Sequence, residues 1–542
     1  MTSLHSKLYD YAESQLPRVL TQLDRDPDSP TFGCFDRNYW HYKIRDFPSS
    51  ILQQGIFTLE AVRKGVFKVD FDQEVVASWS VAAVNALLKQ ADSRGRFNEY
   101  YPYEDSYPAM AFSLYTVCKV IHNWGESENS LSEKINWTAL ERIAKYHSRR
   151  VETEAANQQA TGLAALAFAN QLGIGSISNE TVEKHAKTLF SLQDSEGWFG
   201  EYGGPDFGYL TVTIDALIDY HELTNDGRAR DAIDKAVRFI ADCVGTDGLL
   251  PSTVNSRNTD YVVPYGLTRW ASHSSTASWL VNTLFQDLDQ PFHFIRSTDD
   301  RYHTHYIFSS IIRSVSYLDE ITDPVEPERV REKWLPNCGY WIYWPEHKEW
   351  NAIVAAKKGG LFRIHFKDSI PAIDNGWRLY RNGKMWTTNW WSDDSKIIIK
   401  ENSVSIEDYS REGHYFESKP YKHILLRMVA WIFRGWIIPH LKEKMIFRKK
   451  TTKGPQFKRV VKIDGEKMEI ADSFRTEHSF KAQRSPRQNI RHVASADSFS
   501  IEDFGRSVIH QEAVLIDSTF ESKLSIVPGE IFQATGNGVK SQ

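Results

Sequence analysis

The chain is predicted to be an α+β multidomain protein. An N-terminal (α/α) toroid of helical hairpins is expected over residues 1–325, and a C-terminal antiparallel β-sandwich over 335–542, with an apolar-basic helical insertion near 421–450. Three observations predict this. A loop motif recurs with a period near 50 residues, each copy joining one helical pattern to the next. Past about residue 335 the period gives way to short alternating runs separated by tight-turn dipeptides. With 41% hydrophobic and 25% charged residues among 542, the chain can bury large cores, which excludes disorder and collagen.

The repeat organises the first three-fifths. Gly95-Arg-Phe-Asn-Glu99-Tyr100-Tyr-Pro-Tyr-Glu104-Asp105-Ser-Tyr107 aligns without a gap on Gly197-Trp-Phe-Gly-Glu201-Tyr202-Gly-Gly-Pro-Asp206-Phe-Gly-Tyr209, 102 residues on (95 to 197). Half that offset reaches a third copy from Gly248 through Arg257, Asn258 and Tyr261. A further step reaches Asp299 to Tyr306, with Tyr302, His303 and His305. All four are expected to be loops that join an outer helix to an inner one. Two helices per period suit a closed ring whose loops converge on one cleft, or an open solenoid in which they would not. An earlier loop, with Gly33, Asp36, Arg37, Trp40, His41 and Tyr42, precedes another helical pattern and is expected at the same cleft.

The C-terminal third reads as strands: GYWIYW, NAIVAA, GLFRIHF, WRLYRNGKMWTTNWW, KIIIKEN, SVSIEDY, FKRVVKIDGEKMEIADSF, SFSIEDF and KLSIVPG. Asn382-Gly383 and Asp464-Gly465 mark hairpin turns. Pro324 and Pro327 place the boundary, since each breaks a helix. The insertion from His423 to Pro439 is strongly apolar, carries Arg427 and Arg434, and runs into the basic KEKMIFRKK. Two readings stay open for 423–450: a peripheral helix touching anionic lipid, or a helix packed between sheet and toroid.

Charge and cysteines narrow the partners. Lys and Arg number 65 against 70 Asp and Glu, a formal charge of −5, so no nucleic acid is expected as partner. Cys34, Cys118, Cys243 and Cys338 lack CxxC spacing, which points to reduced structural thiols and away from zinc or disulfides. The first residues lack the apolar core of a secretory signal, and no run of about 18 uncharged apolar residues occurs. The expected location is cytoplasmic, with the inner membrane face as a peripheral site. Aromatics make 13% of the chain, with 17 Trp and 24 Tyr, which suits clefts that stack sugar rings as well as it suits core filling. The oligomeric state is not legible.

A toroid followed by a β-sandwich resembles the heparinase II/III and alginate lyase superfamily of polysaccharide lyases, over most of the chain. Members tend to carry an Asn, often followed by His, at an inner helix start, then a Tyr about one repeat later. Glu154-Ala-Ala-Asn157-Gln158 looks like the first element and Tyr209, 52 residues past Asn157, like the second. The family's histidine strand corresponds to Arg363-Ile-His365-Phe-Lys-Asp368, followed by Ile373-Asp374-Asn375-Gly376. Gln158 stands where a histidine is usual and the second strand histidine is missing, so no metal and no cofactor is expected. Gln193 to Trp198 also resembles the Q-x-x-x-G-x-W pattern of terpene cyclases, although Trp198 directly follows Gly197, and no DxDD cluster accompanies it.

The resemblance implies action on a uronic-acid glycan, an anionic oligo- or polysaccharide, in making or editing a surface polysaccharide. Abstracting the C5 proton requires the uronate carboxylate to be neutralised, then a base at C5 and an acid at the leaving O4. Asn157, Arg257 or Asn258 would neutralise; Tyr209, Tyr202 or Tyr261 would transfer protons, with His305 or His365 as partner base. Arg37, Trp40, Glu99, Tyr100, Gln158, Glu201 and Asp206 are expected to bind substrate. The same constellation would serve a C5-epimerase. Glu104 and Asp206, at matched repeat positions, admit a two-carboxylate glycosidase, and loss of the catalytic set would leave a glycan-binding protein.

Overall fold

A computed structural model describes residues 4–125, 128–413, 417, 419–437, 440, 451–485, 498–504, 509, 511–516, 518–527 and 533–536. Six helical hairpins come first. Helix α1 (Leu4–Leu20) and, after the short α2 (Arg37–Trp40), α3 (Ile56–Arg63) form one; α4 (Gln73–Lys89) and α5 (Tyr107–Trp124) form the next. Past the short α6 (Asn129–Ser132) come α7 (Trp137–His147) with α8 (Ala156–Gln171), and α9 (Asn179–Phe190) with α10 (Phe207–Thr224). Then α11 (Gly227–Cys243) pairs with α12 (Tyr265–Trp270). Finally α13 (Ser275–Phe285) pairs with a composite of α14 (Asp300–Tyr302), a π turn (His303–Ile307) and α15 (Phe308–Ser314).

The inner helices α3, α5, α8, α10, α12 and α15 neighbour one another in that order, and α15 returns to α3, which closes the ring. Burial follows position. Every residue of α8 from Ala156 to Ala169 is buried, whereas α11 buries only a stripe that includes Ala229, Ile233, Ala236, Val237 and Ile240, as an outer helix with one apolar face must.

The recurring glycine has a geometric cause. At Gly95 and Gly197 an Asp-x-x-Gly turn closes with Gly95 N–H on the Asp92 carbonyl and Gly197 N–H on the Asp194 carbonyl, both 3.0 Å, at φ of +90° and +104°. A Cβ there would lie 2.8 Å from the Arg142 carbonyl oxygen and 2.3 Å from that of Lys235, so each turn sits directly on the backbone of the following outer helix, α7 or α11. Gly33 does the same against Ala82 of α4. The 102-residue offset spans two hairpins because the α7–α8 loop lacks this turn. Gln193 of the cyclase-like pattern donates to the Gly197 and Ala232 carbonyls and thereby ties the turn to α11. The segment from Asp299 to Tyr306, expected to be a loop, is helical: Asp299 accepts from the amides of Arg301 and Tyr302 and starts the inner helix.

No regular structure covers 321–330, around Pro324 and Pro327. Beyond it the first sheet runs β1 (Glu332–Leu335), β2 (Tyr340–Tyr343), β3 (Trp350–Ala355), β4 (Leu361–Phe366) and β5 (Ala372–Asp374), all antiparallel neighbours in that order. The second sheet takes β6 (Trp377–Arg381), β7 (Lys384–Thr387), β8 (Lys396–Lys400), β9 (Ser403–Gly413), β10 (Lys453–Asp464), β11 (Lys467–Arg475), β12 (Phe480–Arg484), β13 (Gln511–Ile516), β14 (Thr519–Ile526) and β15 (Gln533–Gly536). The hairpin turns fall at the two predicted glycines. Ser498–Phe504 is not the expected strand: Ile501–Phe504 is a 3-10 turn, and Phe499 and Phe504 pack on Phe292 of the helical part.

The first sheet is the middle layer. Tyr340, Ile342, Ile353 and Ala355 join the core of the helical ring, while Trp341, Tyr343, Ala352 and Val354 join Val404, Ile406, Val461 and Ile470 of the second sheet. Both faces are covered, which explains why GYWIYW and NAIVAA are continuously apolar. Strand β10, with one wet face, alternates instead. Between the two sheets Arg459, Arg484 and Asp472 of the second and Asp374 of β5 form a buried quartet, with Arg459 Nε on Asp472 Oδ1 at 2.6 Å and Trp377 Nε1 donating to Asp472 Oδ2 at 2.8 Å.

The insertion folds as α16 (Pro420–Phe433) between β9 and β10, with only Ala430 buried. It is not packed between sheet and ring. The basic stretch 442–450 lies outside the described residues. Among the described residues no helix is long and apolar enough to cross a membrane, and the four cysteines are free and buried.

Candidate active site

Inner helices α8 and α10 are neighbours, and Asn157 and Tyr209 sit in their first turns. The two residues therefore occupy the same end of adjacent helices. Asn157 is locked by Glu201: its backbone N–H and its Nδ2 both donate to Glu201 Oε1 at 2.7 Å. Gln158 Nε2 donates to the Tyr202 hydroxyl at 3.0 Å. Asp206 is the N-cap of α10, accepting from the Tyr209 amide at 3.1 Å and from the Thr259 amide at 3.3 Å.

Arg257 is buried beside these groups, its guanidinium 4.7 Å from the Tyr202 ring centroid. Asn258 accepts from Lys358 Nζ, which also donates to the carbonyls of Thr253 and Asn255, so a lysine from the turn between β3 and β4 pins this loop. Tyr202 and Asn258 both hold left-handed backbone, at φ of +53° and +55°, a strained choice for an aromatic residue.

Tyr306 is the centre of the aromatic group. Its ring lies 5.8 Å from Tyr261, 6.0 Å from Tyr209, 6.2 Å from Tyr302 and 3.7 Å from His305. His305 Nδ1 donates to Gln54 Oε1 at 2.8 Å. Arg301 joins from the same helix, donating to Glu99 Oε1 at 3.0 Å and lying 5.0 Å over the Tyr100 ring. Tyr302, Tyr306 and Arg301 escaped the sequence reading because their segment aligned as a loop. The i, i+4 spacing of the tyrosines on a helix was the available signal. Trp391 was also missed. It comes from the loop between β7 and β8 and its ring fills the space beside Gly204, where a Cβ would be 2.7 Å from Cζ2.

Not every predicted residue joins this group. Arg37 stacks on Trp40 and Tyr42 of its own loop, and Trp40 Nε1 donates to the Gln22 carbonyl. His365 is fully buried at the seam between ring and first sheet, where Nδ1 donates to Asp247 Oδ1 at 2.8 Å against the backbone of Gly245. Glu104 spends one oxygen on the amides of Glu99 and Tyr100. Tyr261 lines a cavity of about 420 Å³ at that seam, together with Asp247, Asp260 and Arg363. A concavity of about 1170 Å³ lies between α4 and α6 and touches none of the predicted site residues.

The electrostatics separate the carboxyls from the phenols. Burial pushes Glu201 up to about 8, against the two N–H groups of Asn157, and Asp206 up to about 6. Burial, then the charge of Glu99, takes Glu104 to about 8. Burial holds Tyr209 well above 10 although Arg257 acts the other way, and holds His305 well below its usual range. Asn157 Oδ1, Gln158 Oε1, Glu201 Oε2 and the Tyr261 hydroxyl are buried without a hydrogen-bond partner among the described residues. Such a convergence is unusual in a packed core. Half-buried Tyr202, Arg301 and Tyr306 and exposed Tyr100 form the surface above them. No group of three or more His, Cys, Asp or Glu residues able to hold a metal ion occurs among the described residues.

No protein-family profile matches the chain, and no curated protein is similar to it in sequence. Among solved structures, a xanthan lyase from Paenibacillus superposes with a TM-score of 0.51 at 10% identity over 89% of this chain. The chain spans 46% of that lyase's length. A polysaccharide lyase superposes at a TM-score of 0.37 and 9% identity, over 58% of this chain and 99% of its own. A β-L-arabinofuranosidase of glycoside hydrolase family 127 from Geobacillus stearothermophilus T6 does so at 0.35 and 9%, over 96% of both chains. Only the xanthan lyase superposition bears on fold, and it shows a lyase-like arrangement of helical ring and β-sheets.

Proposed function

We propose that the protein is a glycan-active enzyme, and specifically a lyase of the heparinase II/III and alginate lyase kind that cleaves a uronic-acid-containing glycan by β-elimination. The observation that carries the reading is the pairing of a carboxyl titrating near 8, Glu201, with a neutral phenol, Tyr209, around the buried cation Arg257. Two titratable groups driven apart by their surroundings are what a base and an acid at neighbouring atoms require.

In this reading Arg257 pairs with the uronate carboxylate and stabilises the negative charge that spreads onto it. Glu201, as carboxylate, takes the C5 proton. Its Oε1 is fixed by Asn157, which leaves Oε2 for the proton. The C5–H electrons form the C4=C5 double bond, the C4–O4 bond breaks, and the Tyr209 hydroxyl gives its proton to O4. Return of the Glu201 proton to Tyr209 through solvent resets the site. Tyr100, Tyr202 and Tyr306 would stack on sugar rings.

The test is incubation with a panel of uronate polymers, following the ultraviolet absorbance of the unsaturated uronate. Its appearance supports the lyase. Deuterium uptake at C5 without that absorbance would make the protein an epimerase, new reducing ends without it a hydrolase, and binding without turnover a glycan-binding protein.

A further inference from the structure

One apolar surface extends outward from the rim of the site at Tyr100. In α16 the side chains of Ile424, Leu425, Met428, Trp431, Ile432 and Phe433 are all more than half exposed, and Trp436 just past the helix is 89% exposed. Two loops of the helical ring meet this element. Arg427 Nη1 pairs with Asp46 Oδ2 at 2.6 Å, and the Arg434 guanidinium lies 5.1 Å from the Tyr103 ring. Those loops expose Ile44, at 73%, with Tyr42, Tyr100 and Tyr103. The apolar surface is thus shared by three separate segments, far more than the scattered single residues of an ordinary surface.

Charge selects the occupant. From Ser418 to Lys442 the sequence has Lys419, Lys422, Arg427, Arg434 and Lys442 and no acid, and Lys444, Arg448, Lys449 and Lys450 follow with only Glu443 between, on a chain whose net charge is −5. Apolar side chains accompanied along the sequence by cations complement an anionic bilayer surface, where the rings enter the acyl boundary and the cations meet headgroups. The 14-residue helix is roughly 21 Å long at 1.5 Å per residue, short of the roughly 30 Å hydrocarbon layer. It suits lying in the interface, not crossing it.

We propose that α16 and the loops bearing Tyr42, Ile44, Tyr100 and Tyr103 form a docking surface for an anionic lipid bilayer. Tyr100 adjoins Glu99, whose carboxylate holds Arg301 of the candidate site. A docked bilayer therefore borders the cleft, and, on the function proposed above, the substrate class deepens to a uronate glycan carried at a membrane, such as a lipid-linked one.

Co-sedimentation of the full chain with phosphatidylcholine vesicles, with and without phosphatidylglycerol, tests the docking. Binding to the anionic vesicles, weakened by salt, is expected, and the double variant Ile432→Ser, Trp436→Ser should lower the partition at least about tenfold. Both positions are exposed, and unchanged circular dichroism and melting would establish an intact fold. Wild type left in the supernatant with anionic vesicles, or a double variant that binds undiminished, overturns the proposal. So does a concentration-dependent dimer, abolished by the double variant, in a protein that ignores vesicles; a second copy would then be the occupant. Vesicle binding is read without turnover, so its failure is distinct from a failure of the lyase reading.

Discussion

Replacing Glu201 by Gln tests the electrostatic origin of the site through stability alone. The folded carboxyl titrates near 8 and the unfolded one near 4.5. Between those values the unfolded chain has released a proton that the folded chain keeps. The wild type therefore loses stability as pH rises through this window, and the loss is complete above about 8. At 1.36 kcal/mol per pH unit the cost reaches roughly 5 kcal/mol. Gln keeps the oxygen that accepts from Asn157 and has no proton to lose. Asp206 and Glu104 act in the same direction, but they are common to both proteins and cancel in the difference. Roughly 4 kcal/mol of that cost falls between pH 5 and pH 8.5, so at an unfolding entropy of roughly 2 cal/mol/K per residue the variant should gain about 3 °C in Tm relative to wild type over that interval. Differential scanning calorimetry of both proteins at the two pH values measures this. A Tm difference that stays constant would mean that Glu201 ionises as an ordinary surface carboxyl, and the base assigned to the proposed elimination would go with it.

Other expectations follow from the same geometry. Tyr209→Phe removes one hydroxyl that makes no hydrogen bond among the described residues, so turnover on an accepted polymer should fall about 10²–10⁴-fold with an unchanged melting curve; full activity would remove Tyr209 from the chemistry. For wild type, log kcat/KM should rise with pH and level off near pH 8, and Glu201→Gln should abolish that limb. Gly197→Ala places a Cβ 2.3 Å from the Lys235 carbonyl oxygen at φ +104° and should cost about 3 kcal/mol or more, whereas Gly203→Ala, at φ +96° with nothing within 4 Å, should cost about 1 kcal/mol; urea midpoints compare the two. Asp472→Asn leaves Arg459 and Arg484 sharing a single carboxylate and should lose about 3–5 kcal/mol, read from the same midpoints.

The ring was legible because a closed toroid imposes its spacing on the sequence. Each glycine turn must present a bare Cα to the next outer helix, so Gly95 and Gly197 recur in frame with their acids and tyrosines. That regularity also misled. Extending the step to Asp299 supposed a loop, but an Asp at an N-cap followed by Arg-Tyr starts a helix as readily as it ends a turn, and the helical Tyr302 and Tyr306 were lost from the site with it. The strands β2 and β3 were read correctly, although continuous apolar runs do not say which partners cover the two faces. His365 shows the limit of motif transfer: it lies on strand β4, yet its Nδ1 is held by Asp247 beneath Gly245, away from the Tyr306 group. For α16, composition alone left both a bilayer and a packed protein face open as its cover, because exposure is a property of the assembled chain.

The middle sheet makes the two halves inseparable. A chain ended after residue 330 would uncover the ring residues that now meet Tyr340, Ile342, Ile353 and Ala355, and a chain begun there would uncover those four from the other side. Neither fragment would keep its solubility, and activity lost on truncation would carry no information about which half does the chemistry. Melting should be one cooperative transition, since each half is part of the other's interior. At the candidate site this stiffness fixes Lys358 and Trp391, both from beyond residue 350, against the loops of Asn258 and Gly204. Changes in those loops would then be transmitted to the sheets, and a homologous domain exchanged at the linker would have to bring its own partner strands with it.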